Sequence, residues 1–321
     1  MYRRMLVPLD GSQLAEETFP YARELAGRMD LDLDLLHVCG PLEANLTAMA
    51  QVYVDEMAES VREQIQRIQT ATGGPEAFRR VQVRSKVVMG YPAEEILTYA
   101  GANQIDIILL ATHGASGVRR WALGSVAYQV LHAAQIPVWL VRSGIPEEVV
   151  FDKWPRRTIL VPLDGSKLAE SALPHAEALA RQRGAQAVDI LLLSVYAPSI
   201  DRSTYYFPTD YPTTVPVKYA DYVQQEIAQA KERCEQYLTG IAGRIEAKGI
   251  RVRTTCVMGE PAEEIVKYAH TNPFHLIVMA SHGRSGIRHL TFGSIAERVL
   301  LECHTPLFLV MAATRNSGAQ T

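Results

Sequence analysis

Short apolar runs alternate with helix-like segments along the chain. In its first half the runs are MLVPL (5–9), LDLLHV (33–38), VRSKVVMG (83–90), IDIILLA (105–111) and PVWLVR (137–142). Between them, apolar residues recur at helical spacing, both after Ser12 and in a long segment at 48–69. This alternation is typical of a doubly wound parallel sheet, which binds ligands at the carboxyl ends of its strands.

The same pattern of strands and helices occurs twice along the chain. MLVPLDGSQLAEETFPYARELA (5–26) matches ILVPLDGSKLAESALPHAEALA (159–180), and VVMGYPAEEILTYA (87–100) matches CVMGEPAEEIVKYA (256–269). Long internal repeats of this kind indicate a duplicated domain. We therefore predict an α/β protein of two tandem Rossmann-like domains, each a five-stranded parallel sheet flanked by helices. The predicted boundaries are 1–143 for the first domain, 144–157 for a linker, 158–312 for the second domain and 313–321 for a disordered tail.

The second copy carries an insertion, because its matched segments lie further apart than those of the first. Most of it falls in YAPSIDRSTYYFPTDYPTTVPVKY (196–219), which is rich in Tyr, Pro and Thr and is predicted to be neither strand nor helix. The insertion follows Val195, where the second strand of this copy ends. Its aromatic rings either cover a ligand at that strand end or belong to a disordered or partner-facing loop.

Composition narrows the class of protein. The chain has 321 residues, 48% of them hydrophobic and 21% charged, which is ordinary for a globular protein. A net charge of −3 argues against a dedicated nucleic-acid binder. The apolar runs are too short to span a bilayer, and MYRRMLVPLD has no signal-peptide core. Cys39, Cys234, Cys256 and Cys303 form no C-x-x-C pair, so we expect reduced, mostly buried thiols in a cytoplasmic protein.

A glycine-rich stretch recurs at the predicted carboxyl edge of each sheet. It reads ATHGASGVRRWALGS at 111–125 and ASHGRSGIRHLTFGS at 280–294. Glycines let backbone amides approach an anion, and the N-terminus of the helix that follows adds positive partial charge. We interpret both stretches as phosphate cradles, formed by Gly114, Gly117, Gly124 and Ser125 and by Gly283, Gly286, Gly293 and Ser294.

Other interpretations of the glycine stretch stay open. A Gly-Ser pair before a helix is often only a turn and an N-cap, and S294-I-A-E297 has the form of a capping box. The chain lacks a G-x-x-x-x-G-K-[ST] loop, a G-x-G-x-x-G fingerprint after its first strand and a G-x-S-x-G elbow. His113 and His282 are either loop histidines that bond local backbone or, less in keeping with their isolation, catalytic bases of a hydrolase or transferase, or metal ligands.

Together these motifs resemble the universal stress protein family, specifically its tandem-domain members, over nearly the whole chain. The resemblance is carried by V-P-L-D-G-S after the first strand, L-H-V at the second, V-x-G-x-P-A-E-E-I at the third and the glycine stretch. The ATP-binding branch carries G-x2-G-x9-G-[ST]. Here Gly114 and Gly124, like Gly283 and Gly293, keep the x9 spacing before a serine. This sequence departs from the pattern at the first glycine, where it has Ala111 and Ala280.

The resemblance implies an adenine nucleotide alpha hydrolase-like fold that binds ATP, ADP or AMP, with Mg²⁺ on the phosphates. Adenine is expected at the ends of the first two strands of each copy, where Asp10 and Asp164 would accept hydrogen bonds from ribose hydroxyls. The implied contacts of the first copy are Pro8, Asp10, Val38, Ala111, His113, Gly114, Gly117, Gly124, Ser125 and Val126. Those of the second copy are Pro162, Asp164, Val195, Ala280, His282, Gly283, Gly286, Gly293, Ser294 and Ile295.

The expected function is that of a nucleotide-responsive stress protein with two sites, and not of an efficient enzyme. Neither copy supplies both a positioned base and a charge clamp, so at most slow ATP hydrolysis is expected. The alternative is an interaction or scaffold protein without nucleotide. The final strands, PVWLVR (137–142) and PLFLVM (306–311), are sheet edges with unpaired backbone. We expect them to pair antiparallel as an intramolecular pseudo-dimer, which leaves open a further homo-oligomer; no nucleic acid or membrane partner is expected.

Overall fold

The computed structural model describes residues 2–72, 79–112, 123–142, 157–198, 217–281 and 293–311. The strands of the first half are β1 (Arg4–Leu9), β2 (Asp32–Cys39), β3 (Val83–Met89), β4 (Ile107–Ala111) and β5 (Val138–Val141). Its helices are α1 (Gln13–Glu16), α2 (Phe19–Met29), α3 (Thr47–Thr72), α4 (Pro92–Ala102) and α5 (Ser125–Ala133), with a 3₁₀ helix at Pro41–Leu46. Each predicted strand of this half is present.

The second half repeats this order. Its strands are β6 (Arg157–Leu163), β7 (Val188–Tyr196), β8 (Arg251–Met258), β9 (Leu276–Ala280) and β10 (Leu307–Val310). Its helices are α6 (Lys167–Glu170), α7 (Leu173–Arg183), α8 (Val217–Glu246), α9 (Pro261–Thr271) and α10 (Ser294–Glu302). None of the helices in the described ranges is both long enough and apolar enough to cross a membrane.

All ten of these strands join one continuous sheet, in the order β3-β2-β1-β4-β5-β10-β9-β6-β7-β8. Neighbours are parallel within each half, which confirms the predicted tandem Rossmann-like architecture. The one antiparallel pair is β5 with β10, which sets Trp139 directly opposite Phe308. We refer to this pair of strands as the seam.

Helices cover both faces of the sheet. Val7, Leu109 and Phe308 point to the face covered by α1–α3 and α6–α8, where they join one buried apolar cluster. Leu6, Ile108 and other alternate residues point to the face covered by α4, α5, α9 and α10. Because both faces are buried, the strands read as nearly continuous apolar runs instead of alternating ones.

The order of strands reverses at the centre of each half. β1 lies between β2 and β4, and β6 lies between β7 and β9. The crossovers on the two sides of such a strand go to opposite faces of the sheet, which opens a crevice at its carboxyl end. The ligand site is therefore expected just after β1 and just after β6.

The first helix of each half departs from the sequence prediction. In the sequence, Pro20 and Pro174 each lie inside a helical pattern, which predicts one kinked helix, since proline lacks an amide and clashes with the preceding turn. Instead the helix breaks into α1 and α2, and into α6 and α7, with the proline in the first turn of the second piece. Proline is tolerated there because first-turn amides have no intrahelical acceptor.

Packing at the seam makes Phe308 a test of how the halves are joined. Phe308 has no exposed surface, and its ring meets Trp139 edge-on with 5.7 Å between ring centres. Phe308→Ala should lower the free energy of unfolding by roughly 3–5 kcal/mol, measured by urea titration, because the cavity it leaves cannot close. Phe308→Leu should cost less, and a loss well below 1 kcal/mol for the alanine variant would contradict this packing.

Candidate functional site

A tight turn follows the central strand of each half. In the second half the Asp164 carboxylate accepts a hydrogen bond from the Ser166 amide at 2.9 Å. The Ser166 hydroxyl accepts from the Ala169 amide at 3.0 Å and so caps α6. Gly165 lies between them with φ +82°, a left-handed conformation that favours glycine. Serine is thus the cap, while the aspartate shapes the turn.

The turn after β1 is built in the same way. The Asp10 carboxylate accepts from the Ser12 amide at 3.0 Å, and the Ser12 hydroxyl accepts from the Ala15 amide at 3.1 Å. Gly11 has φ +75°. Ser12 is thus the N-cap of α1, and Asp10 shapes the turn before it. The repeated DGS motif therefore has a structural task, whatever else its aspartate binds.

A cavity of about 700 Å³ opens at the carboxyl ends of β6, β7 and β9. Its size falls in the range of small-molecule sites, roughly 300–1,000 Å³. The first turn of α10 and one side of α8 form its remaining walls. Seven of the residues predicted for the second copy line it: Pro162, Asp164, Val195, Ala280, Gly293, Ser294 and Ile295. His282, Gly283 and Gly286 lie outside the described residues.

The helix face on this cavity was not predicted from the sequence. Ala230, Arg233, Cys234 and Tyr237 of α8 line it together with Ile265 of α9. The three-to-four-residue spacing of the α8 set was a detectable signal, since it marks one face of a helix. The insertion after β7 also reaches the cavity through Tyr196 and Ala197. The other aromatic residues of the insertion were proposed from the sequence as a cover for the ligand. They lie outside the described residues, except for Tyr219, whose backbone alone is described.

The start of α10 corrects one interpretation of the sequence. Gly293, not Ser294, is the N-cap, and no side chain caps this end in the described part of the chain, so the capping box is wrong. The Gly293 amide donates to the Ser281 carbonyl at 2.9 Å, so in this structure it closes the base of the loop. The next first-turn amides, of Ser294 and Ile295, are the ones that a helix leaves without intrahelical acceptors.

The first copy repeats this geometry. The Gly124 amide donates to the Thr112 carbonyl at 2.7 Å, and Gly124 is the N-cap of α5. In this structure the Gly124 amide therefore closes the base of its loop, as the Gly293 amide does. Ser125 and Val126 open the helix, and the Ser125 side chain is exposed.

The other predicted residues of the first copy also gather at one edge. Pro8 and Asp10 stand at the end of β1, Val38 near the end of β2, and Ala111 ends β4. Pro8 and Val38 are half-buried, whereas Asp10 is exposed. His113, Gly114 and Gly117 lie outside the described residues. The two copies differ at one position near this edge. In the first copy His37 of β2 lies beside Leu9 of β1, whereas in the second copy Ser194 of β7 lies beside Leu163 of β6.

Two of the four cysteines are joined. Cys234 on α8 forms a disulfide with Cys256 on β8, with their Cα atoms 6.3 Å apart. The expectation of four reduced thiols is wrong for this pair, because the fold brings together two residues whose spacing carries no local motif. Cys39 and Cys303 are free and buried, as predicted.

The first copy has apolar residues at the positions of these two cysteines. Tyr237 on α8 donates to Glu170, and Tyr53 on α3 donates to Glu16, so these tyrosines are counterparts. Ala50 and Cys234 each stand three residues before them, and Val87 corresponds to Cys256 in the repeat. Ala50 and Val87 belong to the apolar cluster on this face of the sheet.

Comparison with known proteins identifies the family. The profile described as "Universal stress protein family" matches residues 1–142 and again 155–311. The chain belongs to the universal stress protein family. Universal stress protein Rv2005c of Mycobacterium tuberculosis is 24% identical over 315 residues, which cover 95% of this chain and 96% of that protein. Universal stress protein YxiE of Bacillus subtilis is 30% identical over 148 residues, 44% of this chain and all of that protein.

A solved structure shares the whole two-domain fold of this universal stress protein. The crystal structure of a universal stress protein from Archaeoglobus fulgidus aligns with a TM-score of 0.63 and 21% identity. The alignment covers 97% of this chain and 98% of that one. The tandem arrangement is therefore shared along the full length of both chains.

The disulfide gives a direct chemical test. Thiol titration of the unreduced protein in denaturant should detect two groups, Cys39 and Cys303, and titration after reduction should detect four. Reduction should also lower the free energy of unfolding by roughly 3 kcal/mol, since the bond closes a loop of moderate length. Four reactive thiols before reduction would contradict the assignment.

Proposed function

We propose that this universal stress protein binds ATP at two sites and acts as a nucleotide-responsive regulator. The observation that carries the proposal is the cavity of about 700 Å³ after β6, where the order of strands reverses. Ligands of doubly wound sheets bind at this position. Seven residues chosen from the sequence for a nucleotide line this cavity.

The strand side of the cavity suits an adenosine. Leu193 and Val195 of β7 and Ile265 of α9 offer an apolar wall for a base. Asp164 stands at the end of β6 on the same cavity, where its carboxylate would accept hydrogen bonds from ribose hydroxyls. Its bond to the Ser166 amide holds the turn in place, so the carboxylate is positioned before a ligand arrives.

The helix side of the cavity suits the phosphates. The exposed Ser294 hydroxyl and the first-turn amides of α10 are hydrogen-bond donors at a helix N-terminus, where partial positive charge favours anions. The exposed Arg233 of α8 lines the same cavity and adds a full positive charge. Because the capping box is absent, the Ser294 hydroxyl is not committed to its own helix in the way that the sequence suggested.

The resemblance to the ATP-binding branch also implies Mg²⁺ on the phosphates. The described residues contain no cluster of three His, Cys, Asp or Glu side chains that would hold a metal ion. A site of this kind fits Mg²⁺ bound chiefly by phosphate oxygens and water, which is how the ion is commonly held beside nucleotides.

A regulator fits these residues better than an efficient enzyme. No base and charge clamp were identified in the sequence, so we propose at most slow ATP hydrolysis. We also propose a cytoplasmic location. Disulfides such as Cys234–Cys256 are rare in that reducing compartment. The scaffold alternative requires that neither half binds nucleotide, which a binding measurement decides.

Titration calorimetry with ATP and magnesium should detect saturable binding to the purified chain. Gly293→Val should weaken binding at the second site by at least about tenfold, because its side chain would enter the cavity at the phosphate end. Gly293 has extended backbone angles, φ −70° and ψ 138°, so valine does not strain the chain. Gly124→Val should act in the same way on the first site.

The matched control is Gly240→Val on α8. Gly240 is exposed, and an added Cβ there meets no atom within 4 Å. This variant should bind ATP as the wild type does. If the wild type shows no affinity for ATP or ADP, the scaffold alternative is correct.

A further inference from the structure

The disulfide of the second copy lies where α8 changes from a packed helix to a more exposed one. On the carboxyl side of Cys234, the residues Leu238, Ile241 and Ile245 are buried in the apolar cluster on this face of the sheet. On its amino side, every residue from 221 to 229 is exposed or half-buried. The bond therefore ties α8 to β8 at the boundary between the packed and the exposed parts of the helix.

The amino side of this boundary carries a wall of the proposed nucleotide site. Ala230 and Arg233 precede the bonded cysteine, and both line the cavity. Arg233 is exposed and stands directly before Cys234, so the bond fixes the turn of helix that brings this positive charge to the cavity. A side chain that is held in position binds an anion more tightly than one that must be ordered on binding.

The partner cysteine lies on the outermost strand of the sheet. Among the described strands, β8 pairs with β7 alone. All residues of β8, Cys256 included, are exposed or half-buried, whereas the corresponding edge strand β3 buries Val83 and Val87. Cys234 is only 8% exposed. Because thiol–disulfide exchange requires access to one of the two sulfurs, attack is expected at Cys256.

Reduction of this bond is a two-step exchange with a dithiol. One thiolate of the dithiol attacks the Cys256 sulfur and forms a mixed disulfide, while Cys234 leaves as a thiolate and takes up a proton. The second thiolate of the dithiol then attacks the reductant's own sulfur in the mixed disulfide, closes a cyclic disulfide and releases Cys256. The dithiol loses two electrons, and the protein gains two thiols.

The first copy has no bond to reduce at this place. Ala50 and Val87 occupy the positions of Cys234 and Cys256 and join the apolar cluster. Ordinary packing thus serves in the first copy where the second has a covalent tie. Disulfides that occur in the cytosol of most organisms are usually transient and take part in catalysis or redox sensing. A bond that the repeated fold does without is suited to such a role.

We propose that the Cys234–Cys256 bond is a redox switch for the second nucleotide site. A dithiol opens the bond, the turn of α8 that carries Arg233 becomes more mobile, and ATP binds less tightly at this site. The first site does not respond. This inference rests on the proposed binding of ATP and adds that the two sites differ in their regulation.

Calorimetry on variants with one working site measures the switch. Gly124→Val, which leaves the second site, should bind ATP about three- to tenfold more weakly after treatment with dithiothreitol, since Arg233 must then be ordered on binding. Gly293→Val, which leaves the first site, should bind ATP equally well before and after. Cys39 and Cys303 are free in both states, so the reductant acts on this bond alone.

A second variant removes the bond without a reductant. Cys256→Val introduces the residue of the first copy and leaves the side chains that line the cavity unchanged. Combined with Gly124→Val, it should show the weaker affinity for ATP both with and without dithiothreitol. By linkage, saturating ATP should shift the exchange equilibrium of the Gly124→Val variant toward the disulfide by the same factor.

Hydrogen exchange gives a measurement that needs no nucleotide. Reduction should speed amide exchange at 230–234 of α8 by about tenfold and leave exchange in α3 unchanged. The inference is overturned if ATP binds to the second site equally well in both states, or if exchange in α8 does not change on reduction. Faster exchange without ATP binding in either state would instead overturn the proposed function, and control of ATP binding with it.

Discussion

Backbone pairing along the seam governs the architecture of the whole chain. Each half ends its sheet in a short strand whose outer edge would otherwise expose unpaired amides and carbonyls, and β5 and β10 satisfy each other. Because this pair is antiparallel, the strands of the two halves run in opposite directions. The carboxyl ends of β1 and of β6, and with them the proposed nucleotide sites, therefore point to opposite edges of one continuous sheet.

Much of this fold could be predicted from the sequence, since buried parallel strands are short apolar runs with few competing interpretations. The errors arose where a local pattern allows two backbone paths. The sequence around Pro20 permits either a kink or a break of the helix. The packing of α3 on α2 leaves no mark in the local sequence that shows which of the two occurs. For Ser294 the deciding fact is the extended conformation of Gly293, which places the cap one residue earlier.

The candidate site was predictable to the extent that it lies on strand ends and loops with marked motifs. Its α8 wall was missed because helical periodicity alone does not say which face meets a cavity. The Cys234–Cys256 bond was missed for a related reason. Only the crossing of α8 over β8 brings these two residues within 6.3 Å, and the first copy fills the same place with Ala50 and Val87.

Comparison of the two copies identifies side chains whose polar atoms are not required for packing. Phe308 shows that a phenylalanine packs well beside the seam, with no exposed surface. The opposite position nevertheless has Trp139, whose indole nitrogen is buried without a protein partner among the described residues, next to the similarly unpaired hydroxyl of Tyr21. Each unpaired group costs roughly 1–3 kcal/mol. Since purely apolar rings would pack at a lower cost, the polar atoms of Tyr21 and Trp139 have no structural explanation among the residues that the structure describes.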